Sequence, residues 1–149
     1  MSKTIIRIAI AVAIFTALLP SAAAGAQSAP VICDGQVATI VGTPGDDFLV
    51  GTDGPDVIAG LQGDDTIDGL GGDDVICGGI GDDNLIGGQG FDVIFGAQGD
   101  DFIHAVDWSE KTDTKGSRIF GGAGNDFILG SNKWDRMQGG PGDLSLIHI

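Results

Sequence analysis

The chain has 149 residues, enough for one domain, and carries 7 Lys and Arg against 21 Asp and Glu, a net charge of −14. That balance argues against nucleic acid and anionic membrane surfaces as partners, because both are held through basic patches. It suits a polyvalent cation.

The first 26 residues read as a leader. Lys3 and Arg7 precede an apolar run over residues 8 to 19, followed by Pro20 and the small-residue stretch SAAAGA. This is the order of a secretory signal peptide with its cleavage site, and the run falls short of the ~20 apolar residues of a membrane span. The expectation is an exported, extracellular chain with no membrane insertion after cleavage. Residues 27 to 41, containing VICDGQVATIV, read as an N-terminal cap strand.

From residue 42 the chain divides every nine residues. GTPGDDFLV, GTDGPDVIA, GLQGDDTID, GLGGDDVIC, GGIGDDNLI, GGQGFDVIF and GAQGDDFIH fill residues 42 to 104 in tandem. The next matching unit starts 25 residues after the last, which is no multiple of nine, so residues 105 to 120 read as an irregular loop. Degenerate repeats follow over 121 to 143: GGAGNDFIL, GSNKWDRMQ and the fragment GGPGD. The last six residues, LSLIHI, share none of this grammar, and one back-translation of them resembles a transposon-end sequencing adapter. They are expected to be foreign, with the natural chain continuing beyond residue 143; a genuine apolar C-terminal strand is the alternative.

The columns of the repeat carry the physics. Position one is always Gly, and position four is Gly except at Lys133. Position six is always Asp, and position eight is Leu, Ile or Met. Glycines at fixed points permit the positive φ angles of a tight turn. The last three residues are extended, with the middle side chain facing away from its neighbours. One buried aliphatic contributes about 1.5–3 kcal/mol, less than it costs to order nine residues of backbone. The unit must therefore stack.

A flat coil takes two units per rung, which places Asp47, Asp65, Asp83 and Asp101 along one edge and Asp56, Asp74 and Asp92 along the other. Carboxylates in glycine turns, among carbonyls freed from strand pairing, make an all-oxygen site. Such donors suit Ca²⁺, which takes six to eight oxygens at flexible geometry, better than Mg²⁺. Zinc would want Cys and His. Without the cation, carboxylate repulsion predicts disorder, so metal binding and folding are expected to be one event.

Seven tandem units resemble GGxGxDxUx, the nonapeptide of the RTX family. The resemblance covers residues 42 to 104 without interruption and 121 to 143 with departures. It implies an all-β fold, a parallel β-roll with two repeats per rung, holding several Ca²⁺ ions between same-edge turns. The ligands it implies are Asp47, Asp56, Asp65, Asp74, Asp83, Asp92 and Asp101, with Asp126 and Asp135 from the degenerate units. Pro55 and Phe91 replace the usual residue at position five but leave the ligand in place. Lys133 and Trp134 alter the unit that contains Asp135.

Function follows from what is present. No Ser or Cys nucleophile has a matching His, and HExxH and a phosphate loop are lacking, so no catalytic constellation emerges. His104 and His148 carry no role. The expectation is a secreted calcium-binding repeat protein with a structural, surface or adhesive role. The alternative is the calcium-binding part of a larger secreted enzyme or toxin. Family toxins usually leave by a route with a C-terminal signal, whereas this chain opens with a secretory one.

Three further expectations concern the surface. In an exported chain Cys33 and Cys77 suggest a disulfide, provided the cap folds back along the outer face; free thiols are the alternative. Apolar outward residues such as Phe48, Val50, Phe95, Phe102, Phe127 and Leu129 reflect either strand propensity or a surface that receives the cap or a partner. The loop with Lys111, Lys115 and Arg118 is the expected contact surface for an unknown protein or surface partner.

Overall fold

Each nonapeptide ends in a three-residue extended stretch, and in the computed structural model these stretches become the rungs of two parallel sheets. Residues 29–105, 116–130, 135–142 and 145–148 are described by the structure. The expected leader at 1–26 lies outside them, as do Lys111 and Lys115.

One sheet runs β3 (Ile40–Val41), β5 (Val57–Gln62), β7 (Val75–Ile80), β9 (Val93–Gln98), β11 (Arg118–Ala123) and β13 (Arg136–Gln138). The other runs β4 (Phe48–Val50), β6 (Thr66–Asp68), β8 (Asn84–Ile86), β10 (Phe102–His104), β12 (Phe127–Gly130) and β14 (Ser145–His148). Neighbours pair in parallel with matching repeat positions opposed, as Ile58 with Ile76 and Ile67 with Leu85. The position-eight column fills the space between the sheets. Ile58, Ile67, Ile76, Leu85, Ile94, Ile103 and Ile128 are wholly buried, and Ile40, Leu49 and Met137 pack at the ends. This is a parallel β-roll with two repeats per rung.

The loop expected over 105–120 ends sooner than its sequence suggests. β11 begins at Arg118, pairs with β9 and β13, and buries Ile119 completely. Counting back nine from Gly121 gives TDTKGSRIF, with Ile119 at position eight and Ser117 at position six. This unit lacks both glycines and the aspartate, so its columns do not register. Strand pairing needs only backbone and an inward aliphatic, and both are present.

The cap is more than a single strand. β1 (Ile32–Cys33) and β2 (Gln36–Val37) form an antiparallel hairpin ahead of β3. Its turn uses positive φ at Asp34 and Gly35. The hairpin lies on the outer face of the β5–β7 sheet, where buried Cys33 meets Val75 and Val93, flanked by Val57, Cys77, Phe91, Phe95 and Phe120. Cys33 and Cys77 are joined by a disulfide, with Cα atoms 6.0 Å apart. Part of the apolar outer surface thus receives the cap. On the opposite sheet Phe102 and Phe127 stack at 5.0 Å, and Phe48 remains 73% exposed. The backbone of Ser145–His148, within the stretch expected to be foreign, continues the stack beside β12.

Candidate metal centre

A three-residue strand leaves six residues to turn each corner, and position six is where the chain re-enters the ladder. There, from Asp65 and Asp74 onward, each aspartate reaches back one rung. Oδ1 of Asp65 accepts the N–H of Asp47 at 2.8 Å, and Oδ1 of Asp83 accepts that of Asp65 at 2.9 Å. Asp101 and Asp126 continue this edge at 2.9 and 3.2 Å. On the other edge Asp74 accepts from Asp56 at 2.8 Å and Asp92 from Asp74 at 3.1 Å. Ser117 then stands in for an aspartate: its Oγ accepts the Asp92 N–H at 3.2 Å, and its own N–H donates to Asp135 at 2.7 Å. All nine expected carboxylates therefore lie in two edge columns, one of them interrupted by a serine.

The second carboxylate oxygen sets the chemistry. Oδ2 of Asp65, Asp74, Asp83 and Asp101 is buried with no hydrogen-bond partner, in residues no more than 2% exposed. An unmet buried charge is costly and the group responds by holding its proton. Desolvation accordingly pushes Asp74 and Asp83 up to about 6 and Asp101 to about 7, against the backbone hydrogen bond that lowers each. Desolvation also raises Asp65 and Asp126. Neighbouring carboxylates add to the rise, Asp56 at Asp74 and Asp65 at Asp83.

Position-one glycines show what surrounds these oxygens. A Cβ on Gly60 would collide with Asp65 Oδ2 and stand 2.6 Å from the Gly78 carbonyl oxygen of the next rung. At Gly69 the same point meets Asp74 Oδ2 at 2.6 Å together with the Gly87 oxygen. At Gly96 it meets Asp101 Oδ2 together with the Gly121 oxygen at 2.5 Å. At these three corners a carboxylate oxygen and a main-chain carbonyl thus meet at a space that only glycine leaves open, as they also do at Gly42 and Gly51 of the first rung. Among the described residues no three acidic, imidazole or thiol side chains cluster around one point. The donors the corners offer an ion are carboxylate oxygens and backbone carbonyls. That donor set fits a hard, oxygen-seeking cation of flexible coordination and does not fit zinc.

Two features at the corners escape the column reading. Position-five aspartates form an exposed ladder of their own: Asp46, Asp64 and Asp82 accept the N–H groups of Asp64, Asp82 and Asp100 at 3.0, 2.9 and 2.8 Å. The first rung also differs from the rest. Oδ2 of Asp47 accepts from the Thr43 N–H at 2.5 Å and the Thr43 hydroxyl at 3.0 Å, and Oδ2 of Asp56 accepts from Thr52 at 2.7 and 2.8 Å. The sequence signal was the GT that opens only the first two tandem units.

No curated protein and no solved structure matches the chain significantly. The family model of the RTX calcium-binding nonapeptide repeat matches residues 41–76, 78–105 and 116–143, and so takes in the serine-bearing rung. With that span, the stacked corners and their buried carboxylates, the chain belongs to the RTX calcium-binding nonapeptide repeat family and binds Ca²⁺ through a β-roll.

Proposed function

We propose that the protein is exported and acts outside the cell as a calcium-dependent structural or adhesive module whose roll assembles as the ions bind. The observation that carries this reading is the set of buried, unpartnered Oδ2 atoms of Asp65, Asp74, Asp83 and Asp101. Four anionic oxygens in the wall of a thin roll oppose folding until a positive charge meets them. Ca²⁺ supplies that charge. The chain's part is to aim each Oδ2 inward by tying Oδ1 to the rung before, and to leave the neighbouring space free with a position-one glycine. A core one aliphatic wide per strand supplies little independent stability, which couples binding to folding.

Circular dichroism of the mature chain during a calcium titration tests this. The expected result is a passage from disorder to β structure at free Ca²⁺ on the order of 10⁻⁴–10⁻³ M, the range of extracellular modules. Equal Mg²⁺ should do far less. A β spectrum unchanged by excess chelator at neutral pH would overturn the coupling.

A further inference from the structure

The corners fall into two backbone classes, and one residue decides between them. In the inner corners the residue after the position-one glycine has a positive φ: +89° at Leu61, +68° at Leu70, +129° at Gly79, +93° at Gly88 and +87° at Ala97. Thr43 and Thr52 occupy this place in the first rung, and neither has a positive φ. A β-branched residue is strongly disfavoured there. Held in the ordinary region, each threonine turns its N–H onto the Oδ2 of its own corner aspartate. The hydroxyl donates to the same oxygen and accepts from the N–H of Gly45 or Gly54 at 3.4 and 3.2 Å.

The consequence for an ion is electrostatic. At Asp65 and Asp74 the Oδ2 is buried and unmet. At Asp47 and Asp56 two donors already meet it, so that oxygen is not left short of positive charge. We propose that the first rung is a calcium-free cap, in which Thr43 and Thr52 take the ion's place at Asp47 and Asp56. The ion columns then start one rung in, at Asp65 on one edge and Asp74 on the other. The proposal rests on the calcium reading above and removes two of the nine carboxylates from the ligand set. It also gives the roll an end that forms without metal, beside the disulfide-tethered hairpin.

Counting bound ions by native mass spectrometry of the full mature chain at saturating calcium separates the two readings. A wild-type chain that binds no ion would overturn the calcium reading itself. With wild-type binding in hand, Asp47→Asn and Asp56→Asn should keep the wild-type ion count, while Asp65→Asn should bind fewer. Loss of an ion from Asp47→Asn or Asp56→Asn would overturn the cap. If the Asn variants do not fold, Thr43→Gly decides the question, because it converts that corner to the inner sequence type. A gain of one ion supports the proposal, and an unchanged count overturns it.

Discussion

Asp64 and Asp65 are adjacent in sequence and point in opposite directions along the roll. Oδ1 of Asp64 accepts from Asp82 in the following rung at 2.9 Å, whereas Oδ1 of Asp65 accepts from Asp47 in the preceding rung at 2.8 Å. Asp64 is exposed, and Asp65 keeps a buried oxygen with no partner. Replacing Asp65 with Ala therefore removes a charged donor from a corner, and the calcium midpoint should rise about tenfold or more, ~1.4 kcal/mol per decade. Asp64→Ala removes a screened surface charge and should shift the midpoint by less than about twofold. Asp83 and Asp82 should repeat the contrast. Equal shifts within both pairs would mean that the acidic columns act as a diffuse field.

Acid should substitute for calcium. In the metal-free roll burial holds Asp74 and Asp83 at about 6 and Asp101 at about 7, while an unfolded Asp titrates near ~3.9. Raised native values mean that the folded chain binds more protons than the unfolded chain between these limits. Their stabilising contribution is thus complete below the unfolded value and lost as pH rises through 6 to 7. In chelator, β structure should appear near about pH 4–5 and melt above about pH 7. Calcium affinity should run the other way and weaken as protons compete. A chelated chain that gains β structure on raising the pH would contradict the assignment.

The glycine columns differ in what they exclude. Gly60→Ala drives a methyl group into Asp65 Oδ2 and the Gly78 carbonyl, whereas a Cβ on Gly45 meets nothing within 4 Å. The first variant should bind fewer ions and melt earlier in calcium. The second should stay within about 0.5 kcal/mol of wild type. Thermal melts at fixed calcium, with ion counts, provide the comparison.

Much of this architecture was legible because the period is strict. Ile58, Ile67 and Ile76 fall nine apart, and that spacing alone fixes the inward column and the two edges. Ser117 and Ile119 were hidden because the column reading looks for corner residues, while a rung is kept by backbone pairing and one inward aliphatic. The two threonines were visible letters without visible meaning. Their effect depends on φ at position two, which no side-chain pattern states. The cap's course was conditional in the same way, since Cys33 and Cys77 can meet only if a hairpin leaves the stack.

That crosslink makes its own prediction. It closes a span of 44 residues, for which a chain-entropy estimate gives about 4 kcal/mol. Intact mass after alkylation without reductant should show no modified cysteine. Reduction should lower stability in calcium by about 2–4 kcal/mol and loosen the hairpin from Val75 and Val93. Two alkylated cysteines before reduction would remove the bond.

Rung partners in both sheets lie 18 residues apart, except that Ile94 meets Ile119 and Ile103 meets Ile128 across 25. The seven-residue surplus between His104 and Arg118 leaves every later pairing in step. Position along the coil is set by contact with the previous turn and not by residue count, as in other one-dimensional stacks. Doubling the length of a connection costs only ~0.6 kcal/mol of closure entropy. The stack therefore absorbs extra residues between His104 and Arg118 while the corners on either side keep their neighbours.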